Sequence, residues 1–145
     1  MIYLINYGNK PYAKMQKFQS YTARRFGKVD RVIEYSDIDI LADTEFYSNN
    51  KKILSVKKGN GYWLWKPYII YKHLLNTLSE NDILVYADAG STLMSKNRKN
   101  FYSSFIFLQD EKGVLVSRNN HLESEYCKGD VFKYFNVEND PVFFN

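Results

Sequence analysis

Gly59-Asn60-Gly61-Tyr62-Trp63-Leu64-Trp65-Lys66-Pro67 opens the stretch that decides the fold, and Asp82-Ile83-Leu84-Val85-Tyr86-Ala87-Asp88-Ala89-Gly90-Ser91 closes it. Pro67 suits the first turn of a helix, where its missing N–H costs nothing. Ile70, Leu74 and Leu78 then recur at helical spacing, with Ile69, His73 and Leu75 widening the stripe. Asn81-Asp82 ends the helix. Ile83 to Ala87 shows no polar alternation and reads as a strand buried on both faces, the habit of parallel sheets. Asp88 is therefore expected at the carboxyl end of a central strand, where ligands bind in open α/β sheets. Ala89-Gly90-Ser91 leaves room for a ligand to approach the backbone. A carboxylate followed by Gly and Ser suits a metal–phosphate site, and equally suits a cap on the next turn.

Working outward, Ile2 to Tyr7 reads as a first strand and Gly8-Asn9-Lys10-Pro11 as a turn. A helix is expected from about Pro11 to Phe26, with Met15, Phe18, Thr22 and Phe26 on its inner face. Gly27 stands where a helix C-cap belongs, and Arg24-Arg25 suit the negative end of the helix. Val29 to Tyr35 makes a second strand, completing a βαβ unit with a right-handed crossover. Ser36-Asp37-Ile38-Asp39 looks like a helix cap, Asp43 to Asn50 like one or two helical turns, and Lys57 to Gly61 like a basic loop. Beyond Ser91, Asn97 to Glu111 is helical in pattern, with Phe101, Phe105 and Leu108 inward. Val114 to Ser117 suggests a fourth strand. Glu123 to Phe135 forms one helix, or two broken at Gly129. The alternation predicts an α/β domain: a mostly parallel sheet covered by helices, in one domain over residues 1–145.

The totals exclude several classes. The chain has 145 residues, enough for a core, and 25% charged residues, ordinary for a globular protein. A net charge of +4 with no long Lys/Arg block argues against nucleic acid as partner. One cysteine and two histidines give no zinc spacing. No stretch reaches the ~20 apolar residues of a membrane span, and the start shows no signal-peptide pattern. A cytoplasmic location is expected, peripheral at the inner membrane face if the acceptor is lipid-linked.

Gly-Tyr-Trp-Leu-Trp-Lys-Pro-Tyr-Ile-Ile, then a helix, then Asp-Ile-Leu-Val-Tyr-Ala-Asp-Ala-Gly, resembles a family of bacterial GT-A-type glycosyltransferase-like proteins associated with surface polysaccharide. A weaker likeness lies at Tyr126-Cys127-Lys128-Gly129-Asp130-Val131-Phe132. The resemblance implies a GT-A-like, Rossmann-like nucleotide-sugar-binding half, shortened at the C-terminus. It implies a nucleotide-sugar donor and a saccharide or lipid-linked acceptor. The family's Asp-x-Asp motif holds Mn²⁺ or Mg²⁺ against the diphosphate. Asp88 matches its first aspartate, and Gly90 stands in place of the second.

By that resemblance and by position, the donor-binding candidates are Asn6, Tyr7 and Gly8 at the first strand end, then Trp65, Lys66, Asp88, Ala89 and Gly90. Asp88 is the metal candidate. Lys66 could face the diphosphate and offset charge on the leaving group, or be a solvated lysine at a helix start. Of Trp63 and Trp65, one could stack on a ligand while the other joins the core. An inverting transfer needs a base; Asp130 and Glu125 are the candidates, with Glu123 beside them, and Asp130 equally suits a helix cap. His73 reads as half-buried on its helix, and His121 as a loop residue. A non-catalytic nucleotide-binding module is the competing function, and an oligomer could complete a short chain's site.

Overall fold

The structure is a computed structural model describing residues 1–111, 113–114 and 122–141, except for the side chains of 97, 98, 102, 106, 108–111 and 123. The described residues divide into two units, Met1–Gly113 and Val114–Asn145. The expected strand at Val114 to Ser117, together with Arg118 and His121, lies outside the described residues apart from Val114.

The first unit is an α/β domain with an open parallel sheet. Its strands are β1 (Ile2–Tyr7), β2 (Arg31–Tyr35) and β3 (Ile83–Tyr86), all parallel, in the order β2-β1-β3. Leu4 pairs with Val32 on one side and Val85 on the other. The central strand is thus β1, and β3 is an edge among the described residues. Among the described residues Asp88 therefore follows an edge strand and not the central strand expected. The apolar run of β3 has another cause: helices cover both faces of the sheet, so even an edge strand loses its polar alternation.

The pleat sorts the core by parity. Ile5 and Tyr7, with Ile33, Tyr35, Leu84 and Tyr86, face Ile40, Trp65 and Ile69. Those three come from α2 (Asp37–Ala42) and α5 (Trp65–Asn76). Leu4, Val32 and Val85 face Ala23 of α1 (Ala13–Gly27) and Phe101 of α6 (Arg98–Glu111). Between α2 and α5 come α3 (Thr44–Leu54) and a single turn, α4 (Gly59–Tyr62). The cap expected before α2 is a capping box of Ser36 and Asp39, each satisfying an orphan group of the other's backbone.

Two apolar stripes read from sequence are rotated in the fold. Helix α1 buries Gln16, Gln19, Ser20, Thr22, Ala23 and Gly27, and leaves Met15 and Phe18 about half exposed. The reason is Asn6, which lies fully buried on the α1 side of β1 and demands polar partners. Helix α5 buries Trp65, Ile69 and His73, while Leu74 and Leu75 face out. His73 can be buried because Tyr35 Oη and Thr77 Oγ1 each lie 2.9 Å from its ring nitrogens. Gly27 is also not the C-cap: it is helical, and Lys28 takes the left-handed cap with φ 50°. A Cβ on Gly27 would come within 2.5 Å of Leu93 Cδ2, so close packing is what requires glycine there.

The second unit contains α7 (Glu123–Tyr126) and α8 (Gly129–Phe135). Glu123 to Phe135 is therefore two helices, with Phe132 buried. Asn136 ends α8 in the left-handed region.

Candidate functional site

The chain leaves β1 for β2 on one side and returns to β3 on the other. The carboxyl ends of β1 and β3 therefore border the point where strand order reverses, the usual ligand crevice of open α/β sheets. A cleft of about 410 Å³ opens there. Tyr7 from the end of β1 lines it, with Asp88, Ala89 and Gly90 from just past β3. Asn9, Tyr12, Lys57, Gly59, Asn60, Trp63 and Trp65 complete the wall. The volume is in the range of small-molecule sites.

The strand ends are held from beneath by side-chain amides. Gln16 Nε2 donates to Tyr35 O of β2 (2.8 Å) and to Asn6 Oδ1 of β1 (2.9 Å). Asn6 Nδ2 donates to Gln19 Oε1 (2.8 Å) and Ser20 Oγ (3.2 Å). Gln19 Nε2 donates to Asp88 O, just beyond β3 (2.7 Å). The relay ties the ends of all three strands together and fixes Asp88. Asn6 is thus spent inside the protein and does not line the cleft. Gly8 sits beside it, its N–H bonded to Tyr35 O at 2.9 Å.

The side wall is a left-handed turn. Five consecutive residues, Gly59 to Trp63, have φ between 49° and 87°. Tyr62 N–H bonds to Lys58 O and Trp63 N–H to Gly59 O. Non-glycine residues cost about 1–2 kcal/mol each in this region, so Tyr62 and Trp63 carry stored strain. At Gly61, φ 87°, any side chain is strained and crowded: a Cβ would lie 2.7 Å from Leu54 Cα. The turn presents Asn60, whose Nδ2 donates to Tyr7 Oη (2.7 Å) and Asp37 Oδ1 (2.6 Å). Tyr7 donates its own hydroxyl to Asp37, and burial followed by that bond pushes the phenol well up.

Of the two tryptophans, Trp65, the one named as a donor-binding candidate, joins the core, and Trp63 is the exposed one. Trp65 is buried, stacked on Tyr7 with ring centroids 3.8 Å apart, and anchored by Nε1 to Gly59 O at 3.1 Å. Trp63 is 47% exposed at the cleft. Trp63 was the better ligand-facing candidate. Asn9, Tyr12, Lys57 and Asn60 carried no sequence signal beyond turn chemistry around Pro11 and the basic Gly59 loop.

Lys66, in the first turn of α5, places Nζ 3.0 Å from Asp88 Oδ1 and 5.0 Å from the Tyr86 ring centre. Tyr86 Oη donates to the same oxygen at 2.6 Å. Burial acts to raise the Asp88 carboxyl, but the Tyr86 hydrogen bond and Lys66 outweigh it and hold it low. Both contacts fall on Oδ1, and the side chain, 64% exposed, belongs to a residue that lines the cleft. No three His, Cys, Asp or Glu side chains gather as a metal cage among the described residues. One accessible carboxylate oxygen fits a cation that arrives with phosphate oxygens, as Mg²⁺ often does, better than a resident ion.

Asp130 and Glu125 belong to the second unit. Asp130 is exposed in the first turn of α8, whose N-cap is Lys128 rather than Asp130. Glu125 Oε2 accepts the Leu122 N–H at 3.1 Å, a bond at the start of α7. Asp88 is the one carboxylate among the residues lining the cleft of the first unit. Comparison with protein-family models, curated proteins and solved structures gives no match. No helix among the described residues is long and apolar enough to cross a membrane.

Proposed function

We propose that this protein is a glycosyltransferase-like domain that binds a nucleoside diphosphate sugar in the switch-point cleft and passes the sugar to a saccharide or lipid-linked hydroxyl. The observation that carries the reading is the cleft between the ends of β1 and β3, with cations and aromatic faces around it. Trp63 and Tyr12 offer half-exposed rings for a base or sugar to stack on. Lys57 faces the same space, and Lys66 lies against Asp88 at its edge, so an anionic diphosphate meets two ammonium groups. Gly90 leaves the backbone approachable beside them.

Mn²⁺ or Mg²⁺ entering with the diphosphate would be held by Asp88 and would offset charge on the departing phosphates. Lys66 supplies part of that charge from the protein itself. Its ammonium, now paired with Asp88, can turn to the phosphate oxygens, and Tyr86 keeps Asp88 ionised when it does.

The second reading is a non-catalytic nucleotide-binding module. It is favoured by the single carboxylate in the cleft, which is already ion-paired and so poorly suited to act as a base. Isothermal titration with UDP, GDP and their sugars, with and without Mn²⁺, tests both readings. At least one nucleotide is expected to bind, and Asp88→Ala is expected to remove the metal-dependent part. Release of free nucleotide from the bound sugar nucleotide would favour transfer; its absence with intact binding would favour the module. No heat with any nucleotide under any condition would overturn both.

A further inference from the structure

The first 29 residues contain six Lys or Arg (Lys10, Lys14, Lys17, Arg24, Arg25 and Lys28) and no Asp or Glu. The other 116 residues hold 14 basic and 16 acidic side chains. The positive charge of the chain is therefore concentrated at one place, and most of it is on α1. This helix turns its polar side inward, because Gln16, Gln19 and Ser20 serve Asn6. Its larger apolar side chains Met15, Phe18 and Tyr21 are consequently left outside. Lys14, Phe18, Tyr21 and Arg25, spaced four, three and four residues apart, form one outward stripe. Phe18 is 56% and Tyr21 57% exposed, and Met15 on the flank is 46% exposed. On the adjoining strand Glu34 takes Lys17 as its hydrogen-bonded partner and is also drawn down by Arg24. Lys14 and Arg25 are the cations of the outer stripe itself.

We propose that the outer face of α1 docks on an anionic lipid bilayer. Aromatic side chains standing out between cations fit an interface with an apolar layer beneath negative headgroups. An anionic surface without an apolar layer would be met by the cations alone and would leave Phe18 and Tyr21 unused. The helix adjoins the cleft: Tyr12, immediately before α1, lines it, and Met15 Cε lies 3.5 Å from where a Cβ on Gly90 would be. Docking by this face would hold the end of α1 that adjoins the cleft close to the membrane, where a lipid-linked hydroxyl would be presented.

The test is flotation of the full chain with vesicles, without nucleotide, so that it stands apart from the reading of the cleft. Binding to equimolar phosphatidylcholine and phosphatidylglycerol vesicles is expected, with little to phosphatidylcholine alone. Lys14→Gln with Arg25→Gln should weaken it roughly 25-fold, about fivefold for each surface cation lost. Phe18→Ala with Tyr21→Ala should weaken it at least about tenfold, since apolar area leaves the bilayer. All four positions are exposed, so melting curves should match the parent and exclude misfolding. Failure of the parent chain to float with anionic vesicles would overturn the proposal. So would full binding by the Phe18/Tyr21 variant together with equal affinity for a DNA duplex, which would assign the face to nucleic acid.

Discussion

Asn6→Ala is expected to be among the most damaging single changes in the first unit, although it deletes only a small polar side chain. Asn6 is fully buried, and its carboxamide makes three hydrogen bonds. After truncation, Gln16 Nε2 keeps its bond to Tyr35 O but has one N–H left without an acceptor. Gln19 Oε1 loses its donor, while Gln19 Nε2 must stay with Asp88 O. Ser20 can turn its hydroxyl elsewhere. Two orphaned buried groups at about 1–3 kcal/mol each predict a loss of about 2–6 kcal/mol. That is a large part of the ~5–15 kcal/mol a domain usually has. Urea unfolding measures it as a lower midpoint at unchanged slope. Nucleotide affinity should fall as well, because the relay positions Asp88. A loss below about 1 kcal/mol would refute the reasoning, since unsatisfied buried amides cost at least that much. Asn6→Asp sharpens the test. Its buried carboxyl would have a raised pKa in the folded state, so stability should decline as pH rises above the unfolded value of ~3.9, until the folded pKa is passed.

Gly61→Ala should cost about 2–5 kcal/mol, combining left-handed strain with overlap at Leu54, and should weaken binding at the cleft wall; thermal melts and nucleotide titration check both. The Asp43 carboxyl is held down to about 2, first by the Lys72 hydrogen bond and then by Tyr68. Its stabilisation is present above the ordinary 3.8 and is lost as pH falls through about 2, so Asp43→Asn should flatten the acid limb of the unfolding midpoint in that window. Trp63→Ala should change stability by less than about 1 kcal/mol yet abolish most ligand-induced fluorescence change. Trp65→Ala, which empties the buried side of Tyr7, should cost about 3–5 kcal/mol in the same denaturation assay.

Residue order alone determined the βαβ opening, the helix after Pro67, the strand before Asp88 and the helix cap at Ser36. Each of these is written in local chemistry: apolar runs, turn residues and short-range hydrogen bonds. The amino-acid pattern also put Asp88 just past a strand end, and the family resemblance joined Lys66 and Trp65 to it. Tertiary structure decided which strand is central, because pairing order is set by packing on both faces and not by any one strand's composition. It decided which side of α1 faces in: buried Gln16, Gln19 and Ser20 outweigh exposed Met15 and Phe18 once Asn6 lies beneath them. It likewise chose Ile69 and His73 over Leu74 and Leu75 on α5. The cleft's remaining wall, Asn9, Tyr12, Lys57 and Asn60, comes from turns whose residues meet only when β1 and α5 share a sheet face. A left-handed run such as Gly59 to Trp63 is not foretold by propensity, since its cost is met by the packing around Gly61 and the Trp65 anchor on Gly59.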